Sequence, residues 1–184
     1  MDVYGRKIVG WEVYPEESAE HAATVFHKAH RRAGVRADAL VLHSDNGTPL
    51  KGATLLVTLQ RLGVVPSFSR PAASTDNPYS ESLFKTLKGR PSYPAKPFET
   101  SARARAWVDK FVNWYNDQHF HSALKFVTPA QRQRGEDAEL LVQSHAIYQA
   151  ARAENPARWS GITRDWPPTD KVFLNPGRTS SKTD

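Results

Sequence analysis

The sequence predicts an α/β fold built from parallel crossovers, on three observations. Short runs rich in β-branched and aromatic residues occur at 6–14, 39–43 and 64–68; stretches of helical apolar period separate them; and Gly34 and Gly63 stand where those helices must stop. The order strand, helix, strand, helix, strand is that of a sheet with helical crossovers, whose functional groups gather at the C-terminal ends of the strands.

In chain order, RKIVGWEVY (6–14) follows a Tyr4-Gly5 turn and reads as a strand that Pro15 ends. From Glu16 to Ala33, Ala19, Ala22, Ala23, Phe26 and Ala29 recur at three and four, an amphipathic helix. The run ALVLH (39–43) reads as a buried strand bounded by Asn46-Gly47. Leu55, Leu56, Leu59 and Leu62 mark a helix within 50–62, and Val64, Val65, Ser67 and Phe68 a further strand. Residues 69–78, SRPAASTDNP, should form a mobile loop. A helix follows, with Asp76 or Asn77 able to cap it, Pro78 in its first turn and Leu83, Phe84 and Leu87 as its buried stripe. After a linker with three prolines (90–99), helices are expected from Ser101 to about Asn116, at Thr128-Pro129-Ala130-Gln131, and from about Glu136 to Ala153. The last thirty residues read as an extended tail that either docks by its Trp and Phe residues or stays disordered.

A chain of 184 residues supports one main core with an appendage, and 5 Trp, 6 Tyr and 8 Phe are available to fill it. The 25 Lys and Arg against 19 acidic residues give a net charge of +6, which suits a polyanionic partner. The absence of cysteine excludes disulfides and thiolate metal sites. MDVYGRKIVG lacks the apolar segment of a signal peptide and no apolar run approaches a membrane span, which points to a soluble intracellular protein.

The chemistry centres on HSDNGT, residues 43–48. Asn46-Gly47 after a strand is turn chemistry, and an Asp beside it is ordinarily a turn or cap residue. Glu81 alters that reading of Asp45. The two are separated by 35 residues, and Glu81 lies in the first turns of the helix after the loop, with Lys85 and Lys88 later on the same helical face.

DVYGRKIVGWEV, LVLHSDNGTPL, SFSRPAASTDNPYSESLFKTLK and WYNDQHFHSALKFVTPAQR together resemble the catalytic core of the retroviral-integrase superfamily, and specifically the transposases of IS3-type insertion sequences. The resemblance covers roughly residues 2–134. It implies an RNase H-like integrase core with a central mixed sheet flanked by helices over 1–134, and a C-terminal helix and extended tail over 135–184. It implies metal-dependent DNA cleavage and strand transfer, with two Mg²⁺ (or Mn²⁺) ions stabilising charge on the entering and leaving oxygens. Such hard cations take oxygen ligands. Asp45 would be the second carboxylate of a DDE triad and Glu81 the third, both as metal ligands.

Lys88 and Lys85 would hold DNA phosphate, the alternative being a solvated helix face, and Asn77 would position the helix or the DNA backbone, the alternative being a cap. His119 and His121 are read as structural, as are Trp107, Trp114 and Tyr115. His43 lies near the site without requiring a role. The implied partners are transposon ends and target DNA, and further copies or full-length transposase subunits, with a bacterial cytoplasmic, nucleoid-associated location and no membrane.

The family carries its first Asp on a strand before DVYGRKIVGW, and Asp2 matches a turn position instead. The expectation is therefore an N-terminally truncated chain without the first strand, the first Asp and the helix-turn-helix region, poorly soluble through its exposed sheet edge and inactive alone. The alternatives are a non-catalytic DNA-binding chain, a dominant-negative transposase fragment, or a ribonuclease of the same fold.

Overall fold

The structure is a computed structural model that describes residues 1–34, 40–70, 77–164, 166–167 and 171–174. It is a mixed α/β chain, mostly helical. The elements are α1 (Ala19–Ala33), β1 (Val41–Ser44), α2 (Ala53–Arg61), β2 (Val65–Phe68), α3 (Pro78–Lys88), α4 (Ser101–Asp117), α5 (Pro129–Gln133) and α6 (Asp137–Glu154), with short 3-10 turns at Thr48–Lys51, Ser122–Leu124 and Pro156–Arg158. Two compact units divide the chain. One comprises residue 1, residues 9–108 and the segment from 173; the other comprises 2–8 and 109–172.

In the first unit, the Ser18 hydroxyl accepts the His21 N–H at 3.0 Å to start α1, and Gly34 at φ +59° ends it, donating its N–H to His30 O. Ala23 on α1, Leu55 and Leu59 on α2, and Val64 form a buried cluster flanked by Phe26, Leu40, Leu42 and Leu50. Gly52 lets α2 start close to α1: a Cβ there would lie 2.4 Å from the Ala19 Cβ. β1 and β2 pair in parallel, Val41 opposite Val65 through Ser44 opposite Phe68. The strand expected to be buried is only half covered. Leu40 and Leu42 face the helices, so by the two-residue strand period Val41 and its partner Val65 face away, 58% and 57% exposed.

Residues 6–14 form no strand, against expectation; the backbone groups of Ile8 and Val13 bond to side chains instead. In the first unit Arg105 donates to Val13 O at 2.7 Å and to Glu12 at 2.8 Å, while Gly10 fits against Val25 and Ala29 of α1. In the second unit the buried Asn116 side chain takes both backbone groups of Ile8, accepting its N–H at 2.9 Å and donating to its carbonyl at 3.1 Å. Asp2 closes the preceding turn by accepting the Gly5 N–H at 2.6 Å. Among the described residues the sheet thus has two strands.

The α3 stripe also differs from expectation: no residue of α3 is buried, and Phe84 is exposed. Asn77 occupies the N-cap position but makes no side-chain capping bond. Asp76, most of the expected loop at 69–78, and the tail beyond residue 174 lie outside the described residues.

In the second unit Thr128 and Gln131 form a reciprocal capping box that starts α5. Arg132 and Asp137 form a buried ion pair, and the Tyr4 ring lies 4.0 Å from the Arg132 guanidinium. Trp166 docks against Leu124, Val127 and Leu141, so this part of the tail docks, as one of the two expectations had it. Phe111, Val112 and Tyr115 of α4 are buried, with Trp114 beside them half-covered.

Candidate nucleic-acid and metal site

Asp45 follows the last residue of β1, and its Oδ1 accepts the Gly47 N–H at 3.0 Å. The turn reading of Asp45 is therefore real, but it occupies one carboxylate oxygen of an exposed side chain. Asn46 reaches further: its Nδ2 donates to Ser69 O at 2.7 Å, just past the end of β2. Ser69 N–H in turn donates to Ser44 O at 2.9 Å. The exits of the two parallel strands are tied together at one edge of the sheet. Sequence reading took Asn46 as a turn residue and missed this cross-strand role; an Asn at a strand exit was the only signal.

His43 is drawn into the same tie. Its Nδ1 lies 3.0 Å from the Ser67 hydroxyl of the facing residue pair, and its Nε2 lies 3.5 Å from Ser69 Oγ.

Glu81 is exposed in the first turn of α3, its N–H bonded to Asn77 O at 3.2 Å. A carboxylate there is favoured by the helix dipole, as are Lys85 and Lys88 in the last turn. Both lysines are exposed, and neither forms an ion pair among the described residues. Glu81, Lys85 and Lys88 thus share one helix, reached in the chain from the exit of β2, while Asp45 stands at the neighbouring exit of β1. Among the described residues no three His, Cys, Asp or Glu side chains gather into a group that could hold a metal ion.

The two histidines after α4 are built into an aromatic cluster. His119 stacks near Trp114 and Tyr115, with centroids at 4.8 and 5.3 Å, and His121 Nδ1 accepts the Ala123 N–H at 3.2 Å. Burial, then the nearby Arg6 and His119, lowers the His121 pKa to about 4.

This α/β chain with an acidic strand exit followed by a basic helix matches a known class. Residues 62–129 match the integrase core domain family. Among curated proteins, the chain is 32% identical over 134 residues to the transposase for insertion sequence element IS904 of Lactococcus lactis, covering 70% of this chain and 51% of that protein. It is 29% identical over 136 residues to an uncharacterized protein of insertion element IS136 of Agrobacterium tumefaciens, 71% of this chain and 69% of that one. It is 24% identical over 145 residues to a putative transposase for insertion sequence element IS986/IS6110 of Mycobacterium tuberculosis, 72% and 52%. The chain is therefore similar to the integrase core domain family over residues 62–129 and to insertion-sequence transposases over about 70% of its length, as the resemblance implied. It spans about half the length of the Lactococcus and Mycobacterium proteins. No helix among the described residues is long and apolar enough to cross a membrane.

Proposed function

We propose that the chain serves DNA transposition, with Asp45 and Glu81 as two carboxylates of a metal-dependent site for DNA cleavage and strand transfer, and Lys85, Lys88 and Asn77 as DNA contacts. The observation that carries this reading is the tied exit of two parallel strands, with an exposed carboxylate on the first exit and an exposed Glu-Lys-Lys face on the helix reached from the second. Carboxylate oxygens suit Mg²⁺ or Mn²⁺ in kind, and two ions are expected in the intact site. In number the set falls short, since no three such side chains gather among the described residues. When bound, such ions would stabilise charge on the attacking and leaving oxygens. The lysines hold phosphate as point charges, and the Asn77 amide, unused as a cap, is available to the DNA backbone.

On this reading the core is RNase H-like over 1–134 with an extension over 135–184, it acts on bacterial nucleoid DNA at transposon ends and target, and it assembles with further transposase subunits.

The test measures binding of a short duplex to the full chain with and without Mg²⁺. Mg²⁺ should raise affinity for the wild type and not for Asp45→Asn or Glu81→Gln. DNA cleavage or joining that survives Asp45→Asn would sink the reading. A second reading, DNA binding without catalysis, is favoured by the α3 lysines, which form no ion pair among the described residues; salt-sensitive binding indifferent to both Mg²⁺ and Asp45→Asn would select it.

A further inference from the structure

Between Glu81 and Glu99 the chain carries no acidic residue, yet it holds Lys85, Lys88, Arg90 and Lys96. Glu99 itself is engaged by Arg103 at 2.7 Å, so the stretch is cationic to its end. Downstream of α3 this basic stretch is folded around an aromatic centre. Trp107 of α4 donates its indole N–H to Ser92 O at 2.8 Å, the Tyr93 ring meets it edge-on at 5.7 Å, and the Phe98 ring lies tilted at 6.0 Å.

The covering is one-sided. Tyr93 and Phe98 remain 40% and 38% exposed, while Trp107 beneath them is half-covered. Were the loop only an apolar anchor, its rings would be the groups removed from water. Instead Trp107 fixes two rings from behind and leaves part of each open. Pro91, Pro94 and Pro97 limit the backbone around them, so little ordering remains to be done on binding. Lys96, exposed between the two rings in sequence, forms no ion pair among the described residues.

We infer that Tyr93 and Phe98, backed by Trp107 and flanked by Lys96, form a stacking platform for unpaired nucleotides of DNA. Bases stack on exposed aromatic rings while the cations track the phosphates, the pattern of single-strand binding. Duplex DNA presents its phosphates but keeps its base faces stacked internally, so it engages the lysines without the rings. The inference rests on the reading of the chain as DNA-binding and adds a preference for unpaired strands next to the α3 lysines.

The experiment compares affinities of the full chain for a single strand and for a duplex of the same length. Tyr93→Leu and Phe98→Leu keep an apolar group against Trp107 and should each weaken single-strand binding roughly fivefold or more, leaving duplex binding unchanged. Tyr93→Phe keeps the ring and should bind as the wild type, and circular dichroism of each variant checks the fold. Iodouracil-substituted single strands should cross-link to Tyr93 or Phe98, located by mass spectrometry; this readout uses the unmutated chain. Normal duplex binding with single-strand binding indifferent to both Leu variants, or cross-links mapping elsewhere, overturns the platform and leaves the proposed function standing. Failure to bind either form of DNA overturns both.

Discussion

Burial, with Arg6 and His119 nearby, disfavours the imidazolium of His121. The ring is half-buried beside Tyr115 and His119, with Arg6 near, and its pKa is lowered to about 4 from an ordinary 6.5. The unfolded chain takes up a proton below about 6.5 that the folded chain refuses until about 4. The resulting stability is therefore fully present above pH 6.5 and is lost as the pH falls from there through 4. Thermal melts across that window should show a falling melting temperature, and His121→Phe should flatten the slope. An unchanged slope in the variant would assign the acid sensitivity to other groups. The structural reading of His121 was legible from its spacing to His119; its lowered pKa was not, because the burial that chiefly causes it comes from tertiary packing, and Arg6, which adds to it, lies more than a hundred residues away in sequence.

At the scale of elements, Asn116 shows how the expected strand at 6–14 loses its ladder. A single buried amide supplies both partners of Ile8, 108 residues away, and does for one residue what a neighbouring strand does for many. Asn116→Leu should leave the Ile8 N–H and carbonyl unpaired and cost about 2–4 kcal/mol in urea unfolding, from two orphaned buried groups. A loss below about 1 kcal/mol would mean that water reaches the site. The β-branched run IVGWEVY correctly signalled affinity for a half-buried surface, but propensity says nothing about which partner supplies the hydrogen bonds. The same holds for α3, whose apolar stripe is plain in the sequence while no residue of the helix is buried.

For the whole molecule, a net charge of +6 states only that polyanions are attracted; the arrangement of cations decides where. If Lys85, Lys88 and Lys96 each neutralise one phosphate, duplex affinity should fall with salt at a log–log slope of about −3, and Lys88→Gln should reduce that slope by about one. Arg31→Gln, on the exposed end of α1, serves as the control. An equal reduction from both substitutions would show that total charge governs binding rather than the α3 face.

The sequence by itself determined the helices, the stop at Gly34 and the likeness to integrase cores. Those features are local: Gly34 and the Thr128–Gln131 turn act within a few residues of chain, and the quoted motifs carry the likeness without any fold. Asp45 and Glu81 were likewise legible as candidates from residue type, position and resemblance. Only the tertiary structure decided that Asn46 ties the two strand exits, that Asn116 takes the place of a strand for Ile8, and that Trp107 holds Tyr93 and Phe98 half-open. The first two join residues 23 and 108 apart in the chain, and Trp107 meets its rings across a linker outside any one element; such pairing depends on how the elements pack, which no local pattern encodes.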